Sequence, residues 1–126
     1  MAGVLFVLGG FLLFVAAIHT HSVYRAILDT LPPQFQDEWT SRYAFSVYAL
    51  APTTPLDVQA SYVKAMVLSC PACLSISFGF FAAGNVVLGC LAMLAFVIAT
   101  YRALQGWRTY KSNLDRPIDR VEETSQ

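Results

Sequence analysis

The sequence predicts an all-α integral membrane protein with three transmembrane helices, and three observations predict it. Residues 65–101 are 37 consecutive positions without Asp, Glu, Lys, Arg or His. Residues 2–18 form a second run of the same kind. All eight Lys and Arg of the chain then fall on one side of a three-crossing topology.

The long run sets the argument. A bilayer's hydrocarbon core is roughly 30 Å thick, so about 20 helical residues at about 1.5 Å each cross it. A single helix of 37 residues is far too long for one crossing. Two shorter crossings fit if the chain turns between them. Gly84-Asn85 stands at the middle, and both residue types tolerate positive φ. A tight helical hairpin is expected there. Composition agrees: hydrophobic residues are 56% and charged residues 13%, about half the charged share of soluble domains. Mean hydropathy is +0.54.

The first crossing is expected over residues 2–22. Its length is near that of a signal-peptide core, and Val15-Ala16-Ala17 has the look of a cleavage site. No Lys or Arg precedes the run, whereas secretory signals begin with a positive segment. A retained crossing is expected, with His19 to Ser22 at its interfacial end.

A loop follows. Pro32-Pro33 ends the first helix and suits the start of another. Phe35, Trp39, Tyr43, Val47 and Leu50 then recur at spacings of three or four, with Asp37, Glu38, Ser41 and Arg42 largely opposite. This predicts one amphipathic helix over residues 33–50, lying at the headgroup level or packed on the membrane helices. Glu38 and Arg42 are spaced for an i, i+4 pair.

The second crossing is expected over residues 63–83, within a helix starting near Leu56. Thr54 is its expected N-cap, with Pro55 at the first helical position and Asp57 in the first turn. The third crossing is expected over residues 86–104. Residues 1–112 thus make one membrane domain, and residues 113–126 a polar, partly disordered tail of alternating charge.

Charge decides between three crossings and two. Two crossings would set Arg25, Arg42 and Lys64 against five Lys and Arg on the other side. Three put all eight together, and Lys/Arg excess marks the cytoplasmic face. The expected protein is a multi-pass protein of a bacterial-type inner membrane, C-terminus cytoplasmic. Tyr62, Tyr101 and Trp107 would form part of an aromatic belt at that face.

Within the bilayer, close contact of small residues must drive much of the packing. Ala72, Ser75, Gly79 and Ala83 form one stripe; Asn85, Gly89, Ala92 and Ala99 form another. These are expected to face each other across the hairpin. Gly9 and Gly10 notch the first helix.

Few residues carry chemistry. Cys70-Pro71-Ala72-Cys73 is a C-x-x-C pair, the one redox candidate. It resembles the pairs of membrane thiol oxidoreductases in these four residues only. A disulfide across i, i+3 of a continuous helix is strained, and the cytoplasm keeps thiols reduced. Small buried cysteines are the expected reading. His19 and His21, two apart, point to different helix faces and form no paired site. Lys64 and Arg102 stand where crossings meet the cytoplasmic interface, and no Asp, Glu, Lys or Arg lies deeper, against proton relays and charge-coupled transport. Zinc spacings, phosphate loops and basic runs are absent, so no metal, cofactor or nucleic acid is expected.

The expected function is a non-catalytic accessory, assembly or interaction subunit of a membrane complex. Its partners would be the lipid bilayer and a protein partner or second copies of itself. Two alternatives are a thiol-disulfide oxidoreductase using Cys70 and Cys73, and a homo-oligomeric pore or membrane-perturbing effector.

Overall fold

The computed structural model describes residues 1–28 and 31–116. Among them are four α-helices and no strand: α1 (Ala2–Leu28), α2 (Glu38–Tyr48), α3 (Leu56–Ala82) and α4 (Val86–Leu114), with a 3-10 turn at Pro33–Phe35. α1, α3 and α4 are each long and apolar enough to cross a membrane. All three overrun the expected crossings at their charged ends. α4 therefore takes in the first residues of the expected tail; positions 117–126 lie outside the described residues, as does the Glu38 side chain of the expected Glu38–Arg42 pair.

α3 is the central helix. α1 and α4 each pack along it, antiparallel to it, and scarcely meet each other. α3 ends at Ala82, Gly84 turns at φ +81°, and the Asn85 side chain accepts from the Leu88 amide over 3.2 Å. That bond satisfies one of the orphan donors at the start of α4. Pro71 lies inside α3, which nonetheless runs unbroken through it.

What is buried changes along the bundle. In the uncharged half the buried positions are small: Gly9, Ala16, Ala72, Ser77, Gly79 and Gly89. At the charged end they include Val23, Ile27, Leu31 and Tyr62, which form a cluster with Ala49. The division follows the solvent. Lipid gives large side chains no reason to leave it, whereas water drives them inward. Accordingly Val7, Phe11 and Phe14 of α1 and Val87, Leu91 and Leu94 of α4 stay exposed.

The small-residue stripe of α3 faces a different neighbour from the one expected. A Cβ placed on Gly9 would lie 2.6 Å from Ile76 Cγ1 and 3.1 Å from the Ala72 carbonyl oxygen. One on Gly79 would lie 3.1 Å from the Phe6 ring. Ala72 and Gly79 thus pack on α1, not on α4. Phe6 also meets Phe80 edge-on, with centroids 4.9 Å apart. The contact with α4 uses Ser77, whose hydroxyl donates to the Gly89 carbonyl over 2.8 Å, and Phe81, which fills the space at Gly89. Further along, Met66 fills the space at Gly106.

Two expectations in the loop are corrected. The helix expected over residues 33–50 is broken at Gln36-Asp37. Gln36 donates its side-chain amide to the Leu31 carbonyl over 3.0 Å, and Asp37 is extended (ψ 144°), so α2 starts only at Glu38. The cap of α3 is Pro55, also extended (ψ 141°), rather than Thr54. The Thr54 hydroxyl instead donates back to the Tyr48 carbonyl and closes the connection.

Candidate functional site: a basic groove at the charged end

α2 is held against the bundle by a wedge of aromatic rings. Phe45 meets Tyr24 of α1 at 5.8 Å and Tyr62 of α3 at 5.3 Å, the second pair nearly perpendicular. Such edge-to-face pairs are worth about 0.5–1.5 kcal/mol beyond the area they bury. The Tyr24 and Ser41 hydroxyls add a hydrogen bond of 2.9 Å between α1 and α2. Tyr62, expected in the aromatic belt, is buried in this wedge. Its position beside α2 decides that.

The loop from α2 to α3 is fastened by amides. Gln59, fully buried, donates to the Ala51 and Thr54 carbonyls over 3.1 and 2.7 Å. Asn113 donates to the Leu50 carbonyl over 3.0 Å and to Gln59 Oε1 over 2.8 Å. Among the described residues no buried side-chain polar atom lacks a partner. This amide knot fixes where α2 stands relative to α3 and α4.

A groove results between α1, α2, α3 and α4. One lobe, about 480 Å³, is lined by Arg42, Phe45 and Ser46 of α2, Tyr62, Met66 and Ser69 of α3, and Ala99 and Arg102 of α4. A second lobe, about 660 Å³, adds Leu13, Ala16, Ala17, His21 and Tyr24. The lobes share Thr20, Arg42, Phe45 and Ser69. Among the described residues, neither lining contains an Asp or Glu. The Arg102 guanidinium lies close enough to the Tyr62 side chain to interact with it electrostatically. The Thr20 and Ser69 hydroxyls donate to the Ala16 and Ala65 carbonyls of their own helices, each over 2.9 Å.

A more apolar cleft lies on the other side of α3, with His19, Lys64, Val67, Trp107 and Tyr110 in its lining. His19 and His21 thus face different cavities, and among the described residues no group of three His, Cys, Asp or Glu converges. Cys70, Cys73 and Cys90 are free thiols. The Cys70 thiol approaches the Met66 carbonyl at 3.5 Å, a contact within its own helix.

No protein-family model, curated protein or solved structure matches this chain. The function of the site is therefore argued from its geometry.

The other small and aromatic positions divide by neighbour. Gly10 has nothing within 4 Å of a Cβ and is exposed, unlike its neighbour Gly9. Ser75 and Ala92 are half-buried, and Ala83 is exposed at the C-cap of α3. Trp39, Tyr43 and Val47 are 71, 78 and 71% exposed, one ridge along α2. Phe35, expected on that ridge, turns inward against Tyr48, and Leu50 also turns to the core. Tyr101 accepts from Gln105 over 2.8 Å, and Trp107 lies exposed beside Tyr110.

Sequence reasoning did not find Gln59, Asn113, Phe45, Ser77, Gly106 or the shared cavity of Arg42 and Arg102. The glycine at 106, breaking an otherwise good helical stretch, was a readable signal for close packing. The others depend on which helices become neighbours.

Proposed function

We propose that this chain is a multi-pass inner-membrane protein, with its charged end and C-terminus cytoplasmic, that works as a non-catalytic interaction subunit of a membrane complex. The ridge of Trp39, Tyr43 and Val47 carries this reading. Phe45 anchors the opposite side of α2 to the bundle, so the ridge cannot turn inward without breaking two ring contacts. Aromatic side chains clustered on an exposed, anchored helix are the composition of a protein-binding surface. The uncharged helix faces, bulky and without a polar stripe, suit lipid or a flat helical neighbour better than a pore lining.

A photocrosslinking residue at Val47, used in native membranes, tests this. An adduct of one discrete protein mass is expected, with none from the same probe at Lys111. An adduct of twice the chain's own mass would make the partner a second copy. Lipid-sized adducts alone, from a chain that purifies as a lone monomer in mild detergent, would overturn the proposal.

A further inference from the structure

The hairpin of α3 and α4 is anchored at one end only. From Ala65 to Thr100 it has no Asp, Glu, Lys, Arg, His, Tyr or Trp. Tyr62, Lys64, Tyr101, Arg102 and Trp107, of the types that hold a helix at a membrane boundary, all stand at the charged end. At the other end Phe81, Val86 and Val87 lie exposed around the Gly84-Asn85 turn, an apolar tip that water does not favour. The two uncharged stretches are also short. Residues 65–82 of α3 reach about 27 Å at about 1.5 Å each, and residues 86–101 of α4 about 24 Å. Both fall below the roughly 30 Å of an ordinary hydrocarbon core, and tilt only shortens the reach.

A short helix can sink into the bilayer if its flanking cations snorkel back to the surface. Here α2 opposes that. Phe45 wedges it against Tyr62, in the same turn of α3 as Lys64, and Thr40 and Arg42 of α2 are exposed. Sinking the charged end would carry those side chains towards hydrocarbon. The turn itself is largely satisfied from within. The Ala83, Gly84 and Asn85 amides donate to the Gly79, Phe81 and Phe80 carbonyls over 3.0, 3.0 and 2.9 Å. Beyond the Leu88 amide, which the Asn85 side chain takes, the first amides of α4 have no partner within the helix, so the tip still needs water or headgroups. Such a tip suits the edge of the hydrocarbon and not its depth.

We propose that the Gly84-Asn85 tip draws the facing leaflet down to itself, so that the protein thins the bilayer around the hairpin and favours membranes of short acyl chains. The partner is the acyl-chain layer of that leaflet. This rests on the three crossings and not on the interaction role of α2.

The full chain in lipid nanodiscs tests it, with phosphatidylcholine of myristoleoyl, oleoyl or erucoyl chains. Both faces of a nanodisc are open, so the result does not depend on orientation. With the native cysteines replaced by serine, Ala83→Cys and Ser112→Cys are labelled by a membrane-impermeant maleimide. The thiol of Ala83→Cys should react about tenfold more slowly in oleoyl than in myristoleoyl discs, as a few Å of mismatch, each of modest cost, add up to one decade in population. Erucoyl chains should slow it further, and Ser112→Cys should react alike in all three. Equal Ala83→Cys rates in the three lipids would place the tip in water and overturn the proposal. No labelling in any disc, from a protein that labels fully in detergent, overturns it too, since the tip then lies beneath an undeformed leaflet. Chemical crosslinking adds an independent readout: oligomers that grow with acyl length at a constant labelling rate would assign the mismatch to association and overturn the thinning. Thermal unfolding of the unaltered chain should be latest in myristoleoyl discs; a midpoint that is flat or rises with acyl length overturns the proposal without any variant. The crosslink at Val47 reads the protein partner independently, so either proposal can fail alone.

Discussion

Asn113, in the last turn of α4, donates a hydrogen bond to Gln59, in the first turn of α3, over 2.8 Å. The pair is buried, and each amide also holds a carbonyl of the α2–α3 connection. Gln59→Ala strands the Asn113 contact and two loop carbonyls. It should destabilise the protein by about 1–3 kcal/mol, the cost of leaving buried polar groups unpaired. Thermal unfolding in detergent followed by circular dichroism measures this. Combined with Asn113→Ala, the loss should be less than additive because the two share one network.

Neither residue was legible in the sequence as a site. Gln59 sits one helical turn from Pro55 and reads as an ordinary first-turn polar residue; Asn113 reads as the start of a polar tail. Their meaning comes from the antiparallel return of α4, which brings positions 54 apart in the chain into contact. The groove has the same character. Each arginine was visible as an interfacial charge, but their common cavity depends on where α2 folds back.

Gly9 and Gly10 should separate in their response to substitution. Gly9→Leu must push Ile76 and the α3 backbone aside and should cost about 1–3 kcal/mol through overpacking. Gly10→Leu faces open space and should change stability by less than about 0.5 kcal/mol. Thermal unfolding of the two variants in the same detergent gives the contrast.

Gly84 has φ +81°, where a Cβ is disfavoured. Gly84→Val should cost about 1–3 kcal/mol at this turn. Gly84→Asn should recover most of the loss, since Asn enters the left-handed region more readily. A common midpoint for the two variants would show that the turn tolerates a β-branched residue.

Phe45 and Trp39 lie on opposite sides of α2. Phe45→Ala removes a half-buried wedge and should cost about 2 kcal/mol, less than the about 3–5 of a fully buried ring. The freed α2 should be cut by trypsin at Arg42 faster than in the parent chain. Trp39→Ser, on the exposed ridge, should leave both stability and cleavage rate unchanged.

Labelling tests the three crossings. With the native cysteines replaced by serine, Ala83→Cys and Ser112→Cys report the two ends of α4. Ala83 serves better than Asn85, whose side chain caps the helix. The thiol introduced by Ala83→Cys should react with a membrane-impermeant maleimide only from outside the cell. The thiol introduced by Ser112→Cys should react only in inverted vesicles. Labelling of both from one side would break the topology.

The presence of three membrane-length helices was decided by the chain alone, because the length and polarity of an apolar run must match the bilayer whatever its neighbours are. Gly84-Asn85 likewise placed the turn, since a local backbone requirement is written in local residues. Which face of α3 meets α1, why Tyr62 is buried, and which side of α2 points outward were decided by tertiary structure. Small residues lie on several faces of α3, and packing chose between them through Ile76, Phe6 and Phe81. The aromatic periodicity of α2 marked a face without naming its neighbour; the wedge of Phe45 between Tyr24 and Tyr62 settled the orientation, and with it the groove. Local chemistry specifies the elements. Contacts between residues far apart in the chain specify the site.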